Sequence, residues 1–215
     1  MPLKLAVLLS GGGTTMQNLA ERIAAGTLDA SIGLVITSND GPAAKGLARA
    51  EALQLPGATV RRKDHADTES FSAAVFDRVR EAECGLVCMA GFLSLLVIPD
   101  DFAGRVMNIH PSLLPAFGGK GMHGRHVHEA VLAAGCKVSG CTVHLADNTY
   151  DTGPIVLQRA CAVLPGDTAE SLAARVFAEE CEAYPAAVAA FAAGRVRTEG
   201  GLAWVEGEGD AAPGH

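Results

Sequence analysis

An asparagine and a histidine stand two positions apart in the segment VMNIHPSLLP, residues 106–115. On an extended strand Asn108 and His110 face the same side, while Ile109 between them enters the core. A side-chain amide can donate to a developing oxyanion, and an imidazole can carry a proton near neutral pH. The prolines of the segment restrict the backbone that follows the pair. The segment therefore predicts a rigidly held catalytic pair at a strand end; a buried pair bonded only to backbone is the alternative.

Two further residues are candidates for the same cluster. Asp151 stands in YDTGPIVLQ, in a Gly-Pro turn before a strand-like run, where a carboxylate could orient His110 or hold a water. His144, in TVHLAD, lies on a strand-like run and can face either the core or a cleft. Its nearness in sequence to Asp151 favours the cleft.

A glycine-rich loop, LLSGGGTTMQNL, connects the first predicted strand to the first predicted helix. Glycines allow a tight turn and close approach to a ligand, and the free N–H groups of a helix start attract phosphate. The loop has neither the GxGxxG spacing of dinucleotide binders nor the lysine of a Walker loop. We interpret it as a site for one phosphate; a purely structural turn is the alternative.

The histidines of MHGRHVHEAV raise the question of zinc binding. His123, His126 and His128 have spacings of three and two, which do not place three imidazoles on one helical face. No HExxH pattern accompanies them. We therefore expect no metal site.

Short apolar runs along the chain are typical of strands, and the early runs alternate with segments of helical periodicity. This alternation predicts an α/β fold: a single-domain open twisted, mostly parallel sheet with helices on both faces. The short link between the last two runs predicts C-terminal antiparallel strands. The runs cover 3–9, 31–37, 57–62, 85–90, 105–109, 140–146 and 154–160, and the helical segments cover 16–25, 43–53, 69–81 and 125–135.

The last helix is predicted to begin at GDTAE, where Asp167 and Glu170 have the spacing of a capping box. Pro185 should kink or divide this helix. The segment 205–215 is acidic and rich in glycine, so we expect a disordered tail there. No linker divides the rest, which predicts one domain over residues 1–204.

Composition narrows the class of protein. The chain has 215 residues, of which 49% are apolar and 19% charged, as in globular proteins. Its net charge of −7 argues against broad binding to nucleic acid. No run of about 18 strongly apolar residues is present, and the apolar N-terminal stretch is too short for a secretion signal. The six cysteines lack a CxxC pair and are expected to be reduced, which suits a cytoplasmic protein.

Several motifs together resemble one enzyme family. They are SGGGTTMQNL, MAGFLSLL, NIHPSLLPAFGGKG, TVHLAD with YDTGPIVLQ, and EECEAYPAAV, from about Leu5 to about Trp204. This combination is similar to the phosphoribosylglycinamide formyltransferases, folate-dependent enzymes of purine biosynthesis with a Rossmann-like fold. The Asn-x-His-Pro motif with the downstream Asp-x-Gly-Pro is typical of folate formyltransferases in general, and the glycine loop and short chain narrow the resemblance. It implies 10-formyltetrahydrofolate as co-substrate, glycinamide ribonucleotide as acceptor, and no metal.

The resemblance also implies roles for matching residues. Asn108 would donate to the formyl oxygen as it becomes anionic, and His110 would assist that stabilisation and the proton transfer. Asp151 would hold the imidazole and an ordered relay water, and His144 matches a family histidine beside this group. The implied phosphate- and ribose-binding residues are Gly12, Gly13, Thr14, Thr15 and Glu180, and the implied folate-binding residues are Leu93, Ser94, Leu95 and Leu96 together with Asn108.

This chain departs from the family pattern at residues that would bind substrate. Thr68 replaces a basic residue that binds the folate glutamate, and the basic segment 61–63 is a candidate to take over that contact. A solvated basic segment is the alternative. Lys120, in a long loop, could approach the substrate phosphate. The other departures are Thr15 for asparagine, Ser94 for arginine and Cys181 for histidine.

Other functions share parts of this pattern. Methionyl-tRNA formyltransferases have the same Asn, His and Asp but carry a nucleic-acid-binding domain, which is not expected here, and the negative charge opposes tRNA binding. 10-Formyltetrahydrofolate hydrolases are the principal alternative, because the shared residues do not specify water or an amine as acceptor. A non-enzymatic nucleotide-binding module would need only the glycine loop. The expected partners are small-molecule substrates, without nucleic acid or membrane, and a homodimer is a further option.

Overall fold

The computed structural model describes residues 2–38 and 43–207, which form one seven-stranded sheet, five helices and a separate hairpin. The sheet strands are β1 (Leu3–Leu9), β2 (Ala30–Thr37), β3 (Gly57–Thr59), β4 (Leu86–Met89), β5 (Val106–His110), β6 (Val138–Leu145) and β7 (Ile155–Ala162). The helices are α1 (Thr14–Ala24), α2 (Ala43–Ala52), α3 (Thr68–Glu81), α4 (Arg125–Ala133) and α5 (Ala169–Ala192).

The strands lie in the order β3-β2-β1-β4-β5-β6-β7. The pairs from β3 to β5 are parallel, and β6 and β7 join antiparallel. This confirms the predicted fold class and the predicted antiparallel pair. β3 is shorter than the apolar run that predicted it, because the chain enters a 3-10 turn at Arg62–Asp64.

Both faces of the sheet are covered, as the continuous apolar runs predict. Alternate residues of β1 enter opposite layers: Leu5, Val7 and Leu9 pack in one, and Ala6 and Leu8 in the other. The first layer includes Met16, Leu19, Val131, Leu172, Val176 and Tyr184 from α1, α4 and α5, and the second includes Phe71, Val75, Phe76 and Val79 from α3.

The predicted capping box of α5 was wrong, and so was the expectation that Pro185 could divide the helix. The capping box is formed by Thr168 and Ser171, not by Asp167 and Glu170; Asp167 instead pairs with Arg175 at 2.7 Å. Pro185 does not divide the helix, which runs unbroken through it. A proline in a helix interior costs about 3 kcal/mol, and the fully buried residues around Pro185 offset that cost. They are Ala183, Tyr184, Ala187 and Val188.

A hairpin that the sequence interpretation did not include follows α5. Strands β8 (Val196–Glu199) and β9 (Leu202–Val205) pair antiparallel, and β9 packs beside β7. Gly200 and Gly201 both have positive φ, at 58° and 83°, which a two-residue hairpin turn requires. Of the predicted tail, residues 208–215 lie outside the described residues.

Buried polar contacts hold β5 and the loop that leaves it. The hydroxyl of the buried Tyr184 lies 3.0 Å from the Met89 carbonyl, at the end of β4, and 2.8 Å from the Met107 carbonyl, near the start of β5. In β6, the Thr142 hydroxyl donates to the Ser112 carbonyl at 2.7 Å and accepts from the Leu114 amide at 3.0 Å. These contacts fix the exit of β5.

Candidate active site

Asn108 and His110 lie at the carboxyl end of β5, and Ile109 between them is buried in the core, as predicted. The antiparallel register of β5 and β6 places His144 directly opposite Asn108. Asn108 Nδ2 and His144 Nε2 are 3.0 Å apart. His144 Nδ1 lies 3.2 Å from the Leu145 carbonyl, which can only accept, so Nδ1 carries the proton and Nε2 accepts from Asn108.

Asp151 completes the cluster from the loop between β6 and β7. Its Oδ1 lies 3.4 Å from Asn108 Nδ2 and 3.7 Å from His144 Nε2, and its Oδ2 lies 3.4 Å from His110 Nδ1. The Gly119 amide donates to the same Oδ2 at 2.9 Å. The structure thus brings the predicted residues into one cluster. Asn108 and His110 are not bonded to backbone alone, as the alternative interpretation had it.

His110 is placed to exchange a proton. Its Nε2 lies 2.9 Å from the Phe117 carbonyl and its Nδ1 faces Asp151, so a protonated ring has an oxygen acceptor on each side. Burial lowers the pKa of His110, and the Asp151 carboxylate and Phe117 carbonyl oppose that shift. Burial raises the pKa of Asp151, but the proximity of His144, the charge of His110 and the hydrogen bond from the Gly119 amide outweigh it and leave this pKa below its usual value.

The loop that carries Asp151 is held in a specific conformation. Asp151 has a positive φ of 58°, an uncommon backbone state for a residue other than glycine. A Cβ added at Gly118 would lie 3.2 Å from the Asp151 Cβ and 2.5 Å from a Leu114 methyl. The Asn148 side chain accepts from the Ile98 amide at 2.8 Å. Close packing and these hydrogen bonds therefore keep the carboxylate aimed at the histidines.

A cavity of about 540 Å³ opens beside this cluster. Asn108, His110 and Asp151 lie on one wall, and Thr15 and Glu180 also line it. Of the predicted phosphate residues only Thr15 lines the cavity; Gly12, Gly13 and Thr14 immediately precede it in the chain. Gly13, with φ 73°, caps α1 without a side-chain hydrogen bond, so amide groups of the first turn are left for a ligand.

Glu180 reaches the cavity from α5 and differs electrostatically from a surface glutamate. Burial raises its pKa from the usual value to about 7. At neutral pH this carboxyl group is therefore divided between its protonated and ionised forms. An ionised carboxylate would accept hydrogen bonds from hydroxyl groups of a ligand.

A second, smaller cavity of about 50 Å³ meets the first at the catalytic cluster. Ser94, Leu95 and Leu96 line it, whereas the predicted Leu93 lines the larger cavity and is 48% exposed. The Ser10 hydroxyl accepts from the Leu93 amide at 3.0 Å and so ties this loop to the end of β1. The residues that line both cavities are Phe92, Asn108, Tyr150 and Asp151.

The basic segment 61–63 lies near the smaller cavity through a chain of contacts. The Arg62 guanidinium lies 5.8 Å from the centre of the Phe71 ring, which stacks on Phe92 at 6.3 Å. Thr68 begins α3, and its carbonyl accepts from Ser72, whose hydroxyl accepts from the Val97 amide.

Sequence reasoning missed several residues of the site. Phe92 and Tyr150 line both cavities, and the buried His128 lines the larger one. Gly46 allows α2 to approach the glycine loop, because a Cβ there would lie 2.7 Å from the Gly11 carbonyl. Aromatic and glycine residues give no local signal for such contacts, which depend on distant segments.

The described residues contain no group of three or more His, Cys, Asp or Glu arranged to hold a metal. His123 and His126 instead contact each other edge to face at 5.8 Å, and the His126 ring is largely exposed. All six cysteines are free. No helix within residues 2–38 and 43–207 has the length and apolar character to cross a membrane.

Residues 3–188 match the family described as Formyl transferase. The chain is 33% identical to phosphoribosylglycinamide formyltransferase of Haemophilus influenzae, over 95% of this chain and 94% of that protein. It is 38% identical to trifunctional purine biosynthetic protein adenosine-3 of Gallus gallus, over 94% of this chain but only 20% of that longer protein.

Solved structures agree with these relationships. Glycinamide ribonucleotide transformylase 1 from Symbiobacterium toebii superposes with a TM-score of 0.88 at 36% identity, over 95% of this chain and 94% of that chain. A formyltetrahydrofolate deformylase from Pseudomonas syringae pv. tomato has a TM-score of 0.83 at 23% identity, over 95% of this chain and 66% of that chain; this likeness concerns the fold alone. The chain belongs to the formyl transferase family and, within it, to the phosphoribosylglycinamide formyltransferases.

Proposed function

We propose that this protein transfers the formyl group of 10-formyltetrahydrofolate to the amine of glycinamide ribonucleotide. The observation that carries the proposal is the meeting of two cavities at Asn108 and Asp151. One cavity leads to the amide groups at the start of α1 and to Glu180, and the other is a small, mainly apolar slot. The donors and the carboxyl group of the first suit a phosphorylated sugar, and the apolar side chains of the second suit contact with one part of a flat heterocycle.

In the proposed reaction the substrate amine attacks the formyl carbon, a C–N bond forms, and the formyl oxygen becomes anionic. Asn108 donates to this oxygen. Its contact with Asp151 Oδ1 is long, at 3.4 Å, so that hydrogen is the one exchanged for the oxyanion, while the 3.0 Å contact to His144 keeps the amide oriented. The donors are in place before charge develops, which is the basis of oxyanion stabilisation.

Proton movement completes the transfer. The attacking amine loses a proton through a water held by Asp151 and His110, and the folate nitrogen N10 gains a proton as its bond to the formyl carbon breaks. His110 is suited to this role because it faces oxygen acceptors at both nitrogens and can both take and release a proton. The proposed steps use side chains of this chain and one water, and none of them calls for a metal.

The substrate phosphate would bind at Gly12, Gly13, Thr14 and Thr15. Lys120 lines the same cavity as Thr15, which supports its predicted approach to the phosphate. Glu180 would accept from the ribose hydroxyls. Ser94, Leu95 and Leu96 would contact the pterin in the smaller cavity.

The test is release of tetrahydrofolate by the purified protein from 10-formyltetrahydrofolate, with and without glycinamide ribonucleotide. We expect release only when the nucleotide is present, together with formation of the formylated nucleotide. Release at the same rate without the nucleotide would indicate hydrolysis and would contradict the proposal. Water in place of the nucleotide is the control acceptor, and His110→Ala is the control for background release.

A further inference from the structure

His128 is a buried polar residue of the large cavity for which the proposed roles give no use. It lies on α4, is 4% exposed, and lines the cavity. Its Nδ1 atom is shielded from solvent and has no hydrogen-bond partner among the described residues. Buried polar atoms almost always have a partner, so this orphaned nitrogen leaves the imidazole with unused hydrogen-bonding capacity, which a rotation of the ring would present to a ligand in the cavity.

The helix that carries His128 packs against another helix that borders the cavity. α4 packs against α5, and Arg125 of α4 donates to Glu170 of α5 at 2.5 Å. α5 borders the cavity with three residues spaced four and three apart, which places them on one helical face. They are Ala173, Phe177 and Glu180.

His128 is also within electrostatic reach of the catalytic histidine. Burial lowers the pKa of His128, and the charge of His110 lowers it further. The imidazole is therefore neutral at physiological pH, with one N–H donor and one acceptor nitrogen. It complements a ligand group that has both an acceptor and a donor.

We propose that His128 hydrogen-bonds the glycinamide amide of the acceptor substrate, between the ribose at Glu180 and the amine at His110. This inference rests on the proposed function. The amide offers a carbonyl acceptor and an N–H donor, which match a neutral imidazole. Met122, Ala173 and Phe177, which line the same cavity, are apolar, and in the proposal His128 supplies a polar contact for this part of the substrate.

The experiment compares two ligands that differ in the glycinamide group. Binding of glycinamide ribonucleotide and of ribose 5-phosphate is measured by calorimetry for the wild type, His128→Ala, His128→Asn and His126→Ala. We expect His128→Ala to weaken nucleotide binding by about tenfold or more, the loss of one hydrogen bond to a buried group, and to leave ribose 5-phosphate binding unchanged. His128→Asn keeps a polar atom near the Nδ1 position and should restore part of the affinity. The exposed His126→Ala is the matched control on the same helix.

Equal weakening of both ligands by His128→Ala would mean that His128 only shapes the cavity, and would overturn the inference. Unchanged binding of both ligands would overturn it as well. A shifted pH profile of kcat with unchanged nucleotide affinity would make His128 a positioning residue for His110 instead. Failure of the proposed function is recognised separately, since the wild type would then show no turnover dependent on the nucleotide.

Thermal unfolding of each variant identifies a folding defect. If His128→Ala has such a defect, the comparison of the two ligands is made with His128→Asn.

Discussion

The clearest quantitative prediction concerns Glu180→Gln, which should change nucleotide binding and stability in opposite directions. Burial raises the pKa of Glu180 to about 7 in the free protein. Ribose hydroxyls donate more strongly to a carboxylate than to a neutral acid, so the nucleotide should prefer the ionised form. The glutamine variant keeps the shape of the side chain and removes its ionisation.

The expected size of the binding effect follows from this pKa. With a pKa of about 7, the ionised fraction rises from roughly 10% at pH 6 to roughly 90% at pH 8. The apparent affinity of the wild type for the nucleotide should therefore rise by about ninefold over this range. Glu180→Gln should bind weakly at both pH values and lose this dependence.

The stability effect has the opposite sign. Because the folded pKa lies above the usual value of 4.5, the folded state binds more protons than the unfolded state between these two values. The contribution of this group to stability is complete below pH 4.5 and is lost as pH rises through about 7. The difference between these two pKa values sets an upper limit of about 3 kcal/mol on the change in the free energy of unfolding, and partial solvent contact reduces the expected gain of the variant to about 1–2 kcal/mol at pH 8.

The assay measures the nucleotide KM from pH 6 to 8.5 and unfolding by urea at pH 5 and pH 8, for wild type and variant. The folate KM serves as the control for general damage to the site. The free energy of unfolding of Glu180→Gln minus that of the wild type should be larger at pH 8 than at pH 5. Titration of other groups affects both proteins equally and cancels in this difference. A variant that keeps the wild-type pH dependence of nucleotide KM, or that is less stable at pH 8, would refute the reasoning.

Three further predictions test the cluster, the fold and the folate contact. His110→Ala and Asp151→Ala should each slow turnover by at least about 100-fold while folate binding persists; loss of folding with loss of binding would indicate a structural role. Tyr184→Phe should destabilise the protein by about 1–2 kcal/mol, or a few degrees in Tm, because the one buried hydroxyl hydrogen that two carbonyls share is lost; Tyr150→Phe, at a hydroxyl 3.5 Å from its acceptor, is the control for stability alone. Arg62→Ala combined with Lys63→Ala should raise the folate KM and leave the nucleotide KM unchanged, and an unchanged folate KM would contradict the assignment of this segment to the folate glutamate.

Only part of the catalytic cluster can be predicted from local sequence pattern. Asn108 and His110 are two residues apart on one strand, so the sequence predicts that their side chains project from the same face of the sheet. The contact of Asn108 with His144 depends on the register of β5 against β6, a pairing that joins residues 36 positions apart. Whether His144 faced the core or a cleft was therefore open until the register was known.

Helix ends and turns illustrate the same limit at short range. The sequence near GDTAE predicted a capping box of Asp167 and Glu170, whereas the structure uses Thr168 and Ser171, and Asp167 is engaged by Arg175 and the Leu164 amide. A proline such as Pro185 disfavours the interior of an isolated helix, yet packing of the surrounding buried residues keeps α5 continuous. Here tertiary contacts outweigh local propensity.

The sequence by itself determined the succession of β1 to β7 and the five helices along the chain, the mostly parallel sheet, the glycine loop and the strand-end pair, since each depends on periodicity or residue type within a short window. Only the tertiary structure decided that Glu180 and His128 share a cavity with Asn108 and that the two cavities meet there. The physical reason is that these contacts, and the desolvation that shifts the pKa of Glu180, arise from packing between segments far apart in the chain. No local pattern encodes such burial.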